Sequence, residues 1–190
     1  MNKSGFYYVS KLRLITNSCV VVLKILPYKV RLLLFECITS FPTLLGVYFR
    51  YIFFKSIVKG SGENIYIGKW VTFKNINKLV VGSNVSFHNY CYLDALGEVS
   101  IGDNVSIAHS SSIISFDHTF SDPTVPIKYQ PIRVGEIIIE NNVWIGCGVR
   151  ILSNSFIESD TVVAANAVVN KRIGKGLYAG LPAKKIRDIL

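Results

Sequence analysis

Residues 137–170 read IIIENNVWIGCGVRILSNSFIESDTVVAANAVVN, and this stretch decides the fold. Aliphatic side chains recur at every sixth position without slippage: Ile139, Ile145, Ile151, Ile157, Val163 and Val169. Four residues after each comes a second register, Val143, Val149, Ser155, Thr161 and Ala167. Neither the 3.6-residue helical period nor the two-residue strand period generates a strict six. A coiled solenoid does, since each hexad supplies one short strand and one corner to a turn of parallel β-helix.

A second stretch, residues 61–115, has the same grammar with a longer coil. Ser61-Gly62-Glu63-Asn64-Ile65, Val81-Gly82-Ser83-Asn84-Val85 and Ile101-Gly102-Asp103-Asn104-Val105 start twenty residues apart, or three hexads plus two residues. Gly and Asn at each corner fit a tight bend, being the residues that adopt positive φ most easily. An ordinary β-sandwich with even turns would not hold six hexads in phase. The expected fold is therefore an all-β solenoid of about five coils over residues 60–190, preceded by a separate segment 1–59.

The +9 formal charge sits in that first segment. Residues 1–60 carry nine Lys or Arg against Glu36 alone, whereas the other 130 carry twelve against eleven Asp and Glu. The uncharged runs Leu14–Leu23 and Cys37–Phe49 are too short to cross a bilayer, and no clean signal peptide is present. Pro27 and Pro42 are expected in the first turns of helices near Tyr28–Phe41 and Thr43–Val58. Such apolar, basic helices suit either an anionic membrane surface or a cap on the solenoid or subunit contact. They are too apolar for a nucleic-acid arm. Cys19, Cys37, Cys91 and Cys147 have no CxxC spacing, which favours free thiols in a cytoplasmic protein.

The repeat breaks after Asp117-His118 and resumes after residues 119–136, a Pro-containing loop of the kind that more often carries function than not. His118 stands at the start of that loop. A neutral imidazole beside a cleft can take the proton of an acceptor hydroxyl. His88 and His109 sit within hexads and read as solvated turn residues.

Asn89-Tyr-Cys-Tyr-Leu-Asp94, Val99 to Val105, Asp117-His118 with its loop, Asn142-Val-Trp144-Ile-Gly146, Ala165-Asn-Ala-Val-Val169 and Gly180-x-Pro-Ala-Lys184 together resemble the hexapeptide-repeat acyltransferases. These are left-handed β-helix enzymes of the maltose, galactoside and polysaccharide O-acetyltransferase group. The pattern Arg31 … Phe41-Pro42 … Gly46 … Arg50-Tyr51, with His118-Thr119 in place of His-Pro, is similar to the branch acting on surface polysaccharides such as O-antigen or capsule. The resemblance implies acetyl-CoA as donor, a carbohydrate acceptor, no metal, and a homotrimer with each active site between two subunits. It implies His118 as general base and Asn89 and Asp94 near the acceptor. Trp144, Cys147 and Ala165 would line the pantetheine groove, with Asn170, Lys171, Lys184 and Arg187 at the nucleotide end. With the free thiols and the basic, apolar first segment, the expected location is the cytoplasm, peripheral on the inner face of the membrane. The chain departs from the family at residues 151–158, which lack two glycines, and at Ala164-Ala165-Asn166, which replaces Gly-Ala-Gly. The alternatives are an N-acetyltransferase on an amino sugar, a γ-carbonic-anhydrase-like enzyme with zinc on three histidines, and a non-catalytic scaffold.

Overall fold

The computed structural model describes residues 13–189. Three helices, α1 (Arg13–Leu23), α2 (Tyr28–Cys37) and α3 (Thr43–Ile57), lead into a parallel solenoid. Pro27 and Pro42 stand one residue before α2 and α3, at the capping positions, where the missing N–H of proline costs nothing. Helix α3 closes the open end of the solenoid: Phe54 packs 5.2 Å from Phe73 and 6.3 Å from Phe87, ring centre to centre, inside the first two coils. The buried Arg50 guanidinium ties α3 to the coil below, donating to the Ile67 carbonyl at 2.9 Å and the Phe41 carbonyl at 2.8 Å. Gly46 leaves room for this, since a Cβ there would lie 2.1 Å from the Phe41 oxygen.

The coils stack three parallel faces. The first holds β1 (Gly60–Ser61), β4 (Leu79–Val81), β7 (Val99–Ile101), β12 (Ile137–Ile139), β15 (Phe156–Ile157) and β18 (Arg172–Ile173) in that order. The second holds β2 (Tyr66–Ile67), β5 (Ser86–Phe87), β8 (Ser106–Ile107), β13 (Val143–Ile145), β16 (Thr161–Val163) and β19 (Gly176–Ala179), with β20 (Lys184–Arg187) returning antiparallel along its end. The third holds β3 (Thr72–Lys74), β6 (Tyr92–Asp94), β9 (Ser112–Ile114), β14 (Arg150–Ile151) and β17 (Val168–Val169). There are thus five complete coils and a partial sixth, against about five expected. Both hexad registers point inward: every residue from Ile139 to Val169 named above is buried, Ser155 and Thr161 included. Those two hydroxyls donate to the Val169 and Gly174 carbonyls, so burial leaves no polar atom unpaired.

At the first corner Asn and Gly divide the work that the sequence assigns to them jointly. Asn64, Asn84 and Asn104 each take φ of 58°, and their side-chain amides bond from coil to coil at 2.9 Å. Gly62, Gly82 and Gly102 have ordinary φ and serve close approach instead. A Cβ on Gly82 would lie 2.6 Å from the Gly102 backbone.

The third corner is the enlarged one. Cα partners are twenty residues apart in the early coils, as Gly60 with Val80, and eighteen apart later, as Ile138 with Phe156. The two extra residues lie in the corner itself, which runs from Lys74 to Lys78 between the inward-facing Phe73 and Leu79 but only from Leu152 to Asn154 between Ile151 and Ser155. From the same corner rises the insertion. Its start and end form an antiparallel ribbon, β10 (Phe116–His118) with β11 (Ile132–Val134), so the sequence-expected loop is in fact a two-stranded arm. Gly135 N–H bonds to the Ser115 carbonyl at 2.9 Å and closes its base.

Candidate active site

His118 ends β10, solvent-exposed, opposite Ile132 in the ribbon. It lines a recess of about 430 Å³ with Asp117, Phe120, Arg133, Leu152, Ser153, Asn154 and Asn170. The Ser153 hydroxyl, presented from the third corner of the fourth coil, donates to the Asp117 carboxylate and fixes the ribbon against the solenoid. The tip of the arm is organised by the buried Gln130, whose amide donates to the Asp122 and Val125 carbonyls, both at 2.8 Å, and accepts from Asp122 N–H.

A second concavity, about 410 Å³, lies between the second face and the second corner. Ala108, Gly146, Ala164, Ala165 and Leu177 give it an almost wholly apolar wall, with Trp144, Cys147 and His109 at its edge. Its floor is a close approach of coils: a Cβ on Gly146 would sit 2.6 Å from the Ala165 nitrogen. The replaced glycines cause no strain here. Asn166 takes φ of 58° and Asn154 of 61°, conformations that asparagine tolerates. Farther along this face β20 carries Lys184 and Arg187, both exposed and without a carboxylate partner among the described residues.

The sequence-expected residues thus fall into separate groups. Trp144, Cys147 and Ala165 share the apolar groove, with Lys184 and Arg187 beyond it on β20. Asn170 and the adjacent Lys171 lie with His118 at the third corner of the same chain. Asn89 is at the second corner, its Oδ1 accepting Lys69 N–H at 2.9 Å. Asp94 is buried at the third corner, accepting from the Asn75 amide at 2.7 Å and Leu96 N–H at 3.1 Å, and so braces the turn. Sequence reasoning passed over Phe120, Arg133, Ser153 and Asn154 around His118, and took His109 for a solvated turn residue although it edges the groove. His88 and His109 share another small concavity with Asn89, one corner away from His118. Among the described residues no three His, Cys, Asp or Glu side chains come together as a metal set.

No protein-family model matches the chain. It is 29% identical over 136 residues to WbbJ of Escherichia coli, named for lipopolysaccharide biosynthesis O-acetyl transfer, covering 66% of this chain and 69% of that one. It is 31% identical over 143 residues to the galactoside O-acetyltransferase of Escherichia coli, covering 71% and 66% respectively. A solved galactoside acetyltransferase in complex with coenzyme A superposes with a TM-score of 0.75 at 26% identity, over 86% of this chain and 82% of the other.

Proposed function

This chain belongs to the hexapeptide-repeat, left-handed β-helix acyltransferases, whose donor is acetyl-CoA, and we propose that it acetylates a sugar hydroxyl of a surface polysaccharide or its lipid-linked precursor. One observation carries this reading. A polar recess holding an accessible imidazole stands one corner away from an apolar groove shaped for a thin chain, and the groove leads toward free basic residues.

His118 acts as general base. Its ring nitrogen takes the proton of the acceptor hydroxyl as the oxygen attacks the thioester carbonyl carbon. The tetrahedral species collapses with cleavage of the C–S bond, and the departing coenzyme A thiolate recovers the proton from the imidazolium. Asp117, held by Ser153, keeps the ribbon and therefore His118 in place. Trp144, Cys147 and Ala165 seat the pantetheine arm. Lys184 and Arg187 meet the nucleotide, whose phosphates call for such cations, whereas Asn170 and the adjacent Lys171 stand at the His118 recess and serve the acceptor side. Asn89 takes part on the acceptor side, while Asp94 acts through the corner that it braces.

Since His118 and the groove occupy different corners of one chain, the acetyl group can reach the acceptor only if the recess of one copy faces the groove of another. A homotrimer satisfies this around all its interfaces. The exposed Phe120, Ile127, Tyr129, Ile132 and Val134 of the arm supply apolar contact. Outside the solenoid, α1–α3 and the turn between α1 and α2 expose Leu14, Ile25, Leu33, Leu44 and Leu45 beside Lys24 and Lys29. No helix among the described residues is long and apolar enough to cross a membrane. This pattern supports peripheral docking on an anionic, cytoplasmic membrane face, near a lipid-linked acceptor.

Thermal unfolding with and without acetyl-CoA tests the donor. At a hundredfold excess over Kd the ligand adds about 2.7 kcal/mol, a shift of several degrees that weakens with dephospho-CoA. His118→Ala keeps the shift and loses about 10²–10⁴-fold in turnover. Mixed assemblies of His118→Ala and Ala165→Trp recover activity if the site spans two copies. An absent donor shift favours the scaffold reading, and an active His118→Ala removes the base.

A further inference from the structure

We propose that the acceptor of the His118 recess is an acidic sugar, and that Arg133 binds its carboxylate or phosphate next to the reacting hydroxyl. This deepens the acetyl-transfer reading and rests on it.

In the ribbon, Asp117 and Arg133 are direct cross-strand partners of opposite charge, the arrangement in which such side chains ordinarily pair. Here the Asp117 carboxylate instead accepts from the Ser153 hydroxyl. The Arg133 guanidinium is left with neither a carboxylate nor a carbonyl partner among the described residues, whereas Thr119, Asp122, Thr124 and Gln130 of the arm are each hydrogen-bonded. It lines the same recess as His118.

A guanidinium presents a planar fork of donors that matches a carboxylate or a phosphate with two parallel hydrogen bonds. The remaining wall suits a sugar ring. Asn154 and Asn170 offer amides for hydroxyl groups, and Phe120, 79% exposed at the mouth, offers an aromatic face for the apolar side of the ring. A neutral sugar would use the amides and the ring and leave the guanidinium idle. An acidic sugar uses all of them. Arg133, the one Lys or Arg among the described residues lining the recess, thereby becomes the element that selects the substrate.

The test uses the full chain and three probes: methyl galactoside, methyl galacturonide, and galactose 6-phosphate. Saturation-transfer NMR reads binding, and release of the coenzyme A thiol reads transfer. The proposal expects at least one acidic probe to bind on the order of tenfold more tightly than the neutral one, as a charge-assisted pair at a half-open site provides. A preference for galacturonide identifies a carboxylate acceptor, and one for galactose 6-phosphate a phosphorylated one. Arg133→Gln abolishes the preference and Arg133→Lys retains part of it, with the acetyl-CoA thermal shift unchanged in both. Equal binding of all three probes overturns the proposal, as does binding of none at millimolar concentration. So does a preference that survives Arg133→Gln, or a loss of the acetyl-CoA shift in that variant, which would place Arg133 on the donor. His118-dependent transfer to the neutral sugar alone would overturn the role of Arg133 while leaving the acetyl-transfer reading intact.

Discussion

Replacing Gly146 by alanine puts a methyl group where the backbone of the next coil already lies. The new Cβ would sit 2.6 Å from the Ala165 nitrogen and 2.9 Å from the Ala164 carbonyl carbon and the Val163 oxygen. All are main-chain atoms, so no side chain can swing aside. Ordinary contact at 3.4 Å requires parting the fourth and fifth coils locally by about 0.8 Å. The hydrogen bond from Gly146 N–H to the Val163 carbonyl, 2.8 Å long, then stretches past usable length. Overpacking costs about 1–3 kcal/mol and the lost bond about 1 kcal/mol, which together lower Tm by roughly 5–15 °C in a chain of this size. The same displacement moves Ala165 in the groove wall, and a gap of about 0.5–1 Å forfeits a quarter to a half of each dispersion contact. Differential scanning fluorimetry with and without acetyl-CoA reads both effects: a lower Tm and a smaller donor-induced shift. Gly174→Ala is the control, since its Cβ would meet the flexible Glu158 carboxylate at 3.3 Å and the Tyr178 hydroxyl at an ordinary 3.8 Å, with no backbone atom among its nearest neighbours. A Gly146→Ala protein that melts with the wild type would refute the packing argument. One that melts lower but keeps its full donor shift would refute the placing of the donor in this groove.

Gln130→Ala removes the three hydrogen bonds that shape the arm tip and should speed proteolytic cleavage within residues 119–131 while the solenoid melts nearly unchanged. Asn84→Ala loses both neighbours in the amide ladder and holds at φ of 58° a residue that tolerates it less well than asparagine, for a cost of about 1–3 kcal/mol in chemical denaturation; Asn84→Gly keeps the turn and loses less. Burial pushes the Cys91 thiol up to about 11, leaving roughly one part in a thousand as thiolate at pH 8. Mass spectrometry after alkylation at that pH should find the exposed Cys37 modified first, Cys91 last, and Cys147 protected by coenzyme A.

What the sequence made legible is what a strict period dictates. Once six residues advance the chain by one face, Ile139 to Val169 must all point inward, and the hydroxyls of Ser155 and Thr161 follow them into the core because the register outranks polarity. Helix α1 was not legible. Its residues, Arg13 to Leu23, bury Thr16 and Val20 and expose Leu14, Val21 and Val22, so the face turned inward is not the one its most apolar side chains mark. The division of labour between Asn64 and Gly62 was equally hidden. Both residue types tolerate a bend, and only the 2.3 Å that would separate a Gly62 Cβ from the Ser83 hydroxyl tells close approach from positive φ. His118 was legible because it marks where the period fails. Arg133 and Ser153 were not, since the place of Arg133 opposite Asp117 depends on an antiparallel pairing across the arm, and the bond from Ser153 to Asp117 on the coil to which the arm returns.

That pairing also explains why chemistry gathers at the third corner. A solenoid is held by contacts between neighbouring coils, so extra residues are cheapest where the chain already leaves the ladder. The third corner had been widened by two residues per coil before the arm appears, in the turns that carry Asn75 and Asp94. An insertion there keeps the parallel register on both sides: Ser100 pairs with Ile138 across the arm as Val80 pairs with Ser100 below it. The first corner could not have served, because its amides bond from coil to coil and its glycines leave no space for added chain. The second corner is occupied by the apolar groove. The chain can therefore carry the imidazole proposed as the base on an adjustable arm while the surface proposed for the donor remains as regular as the repeat that builds it.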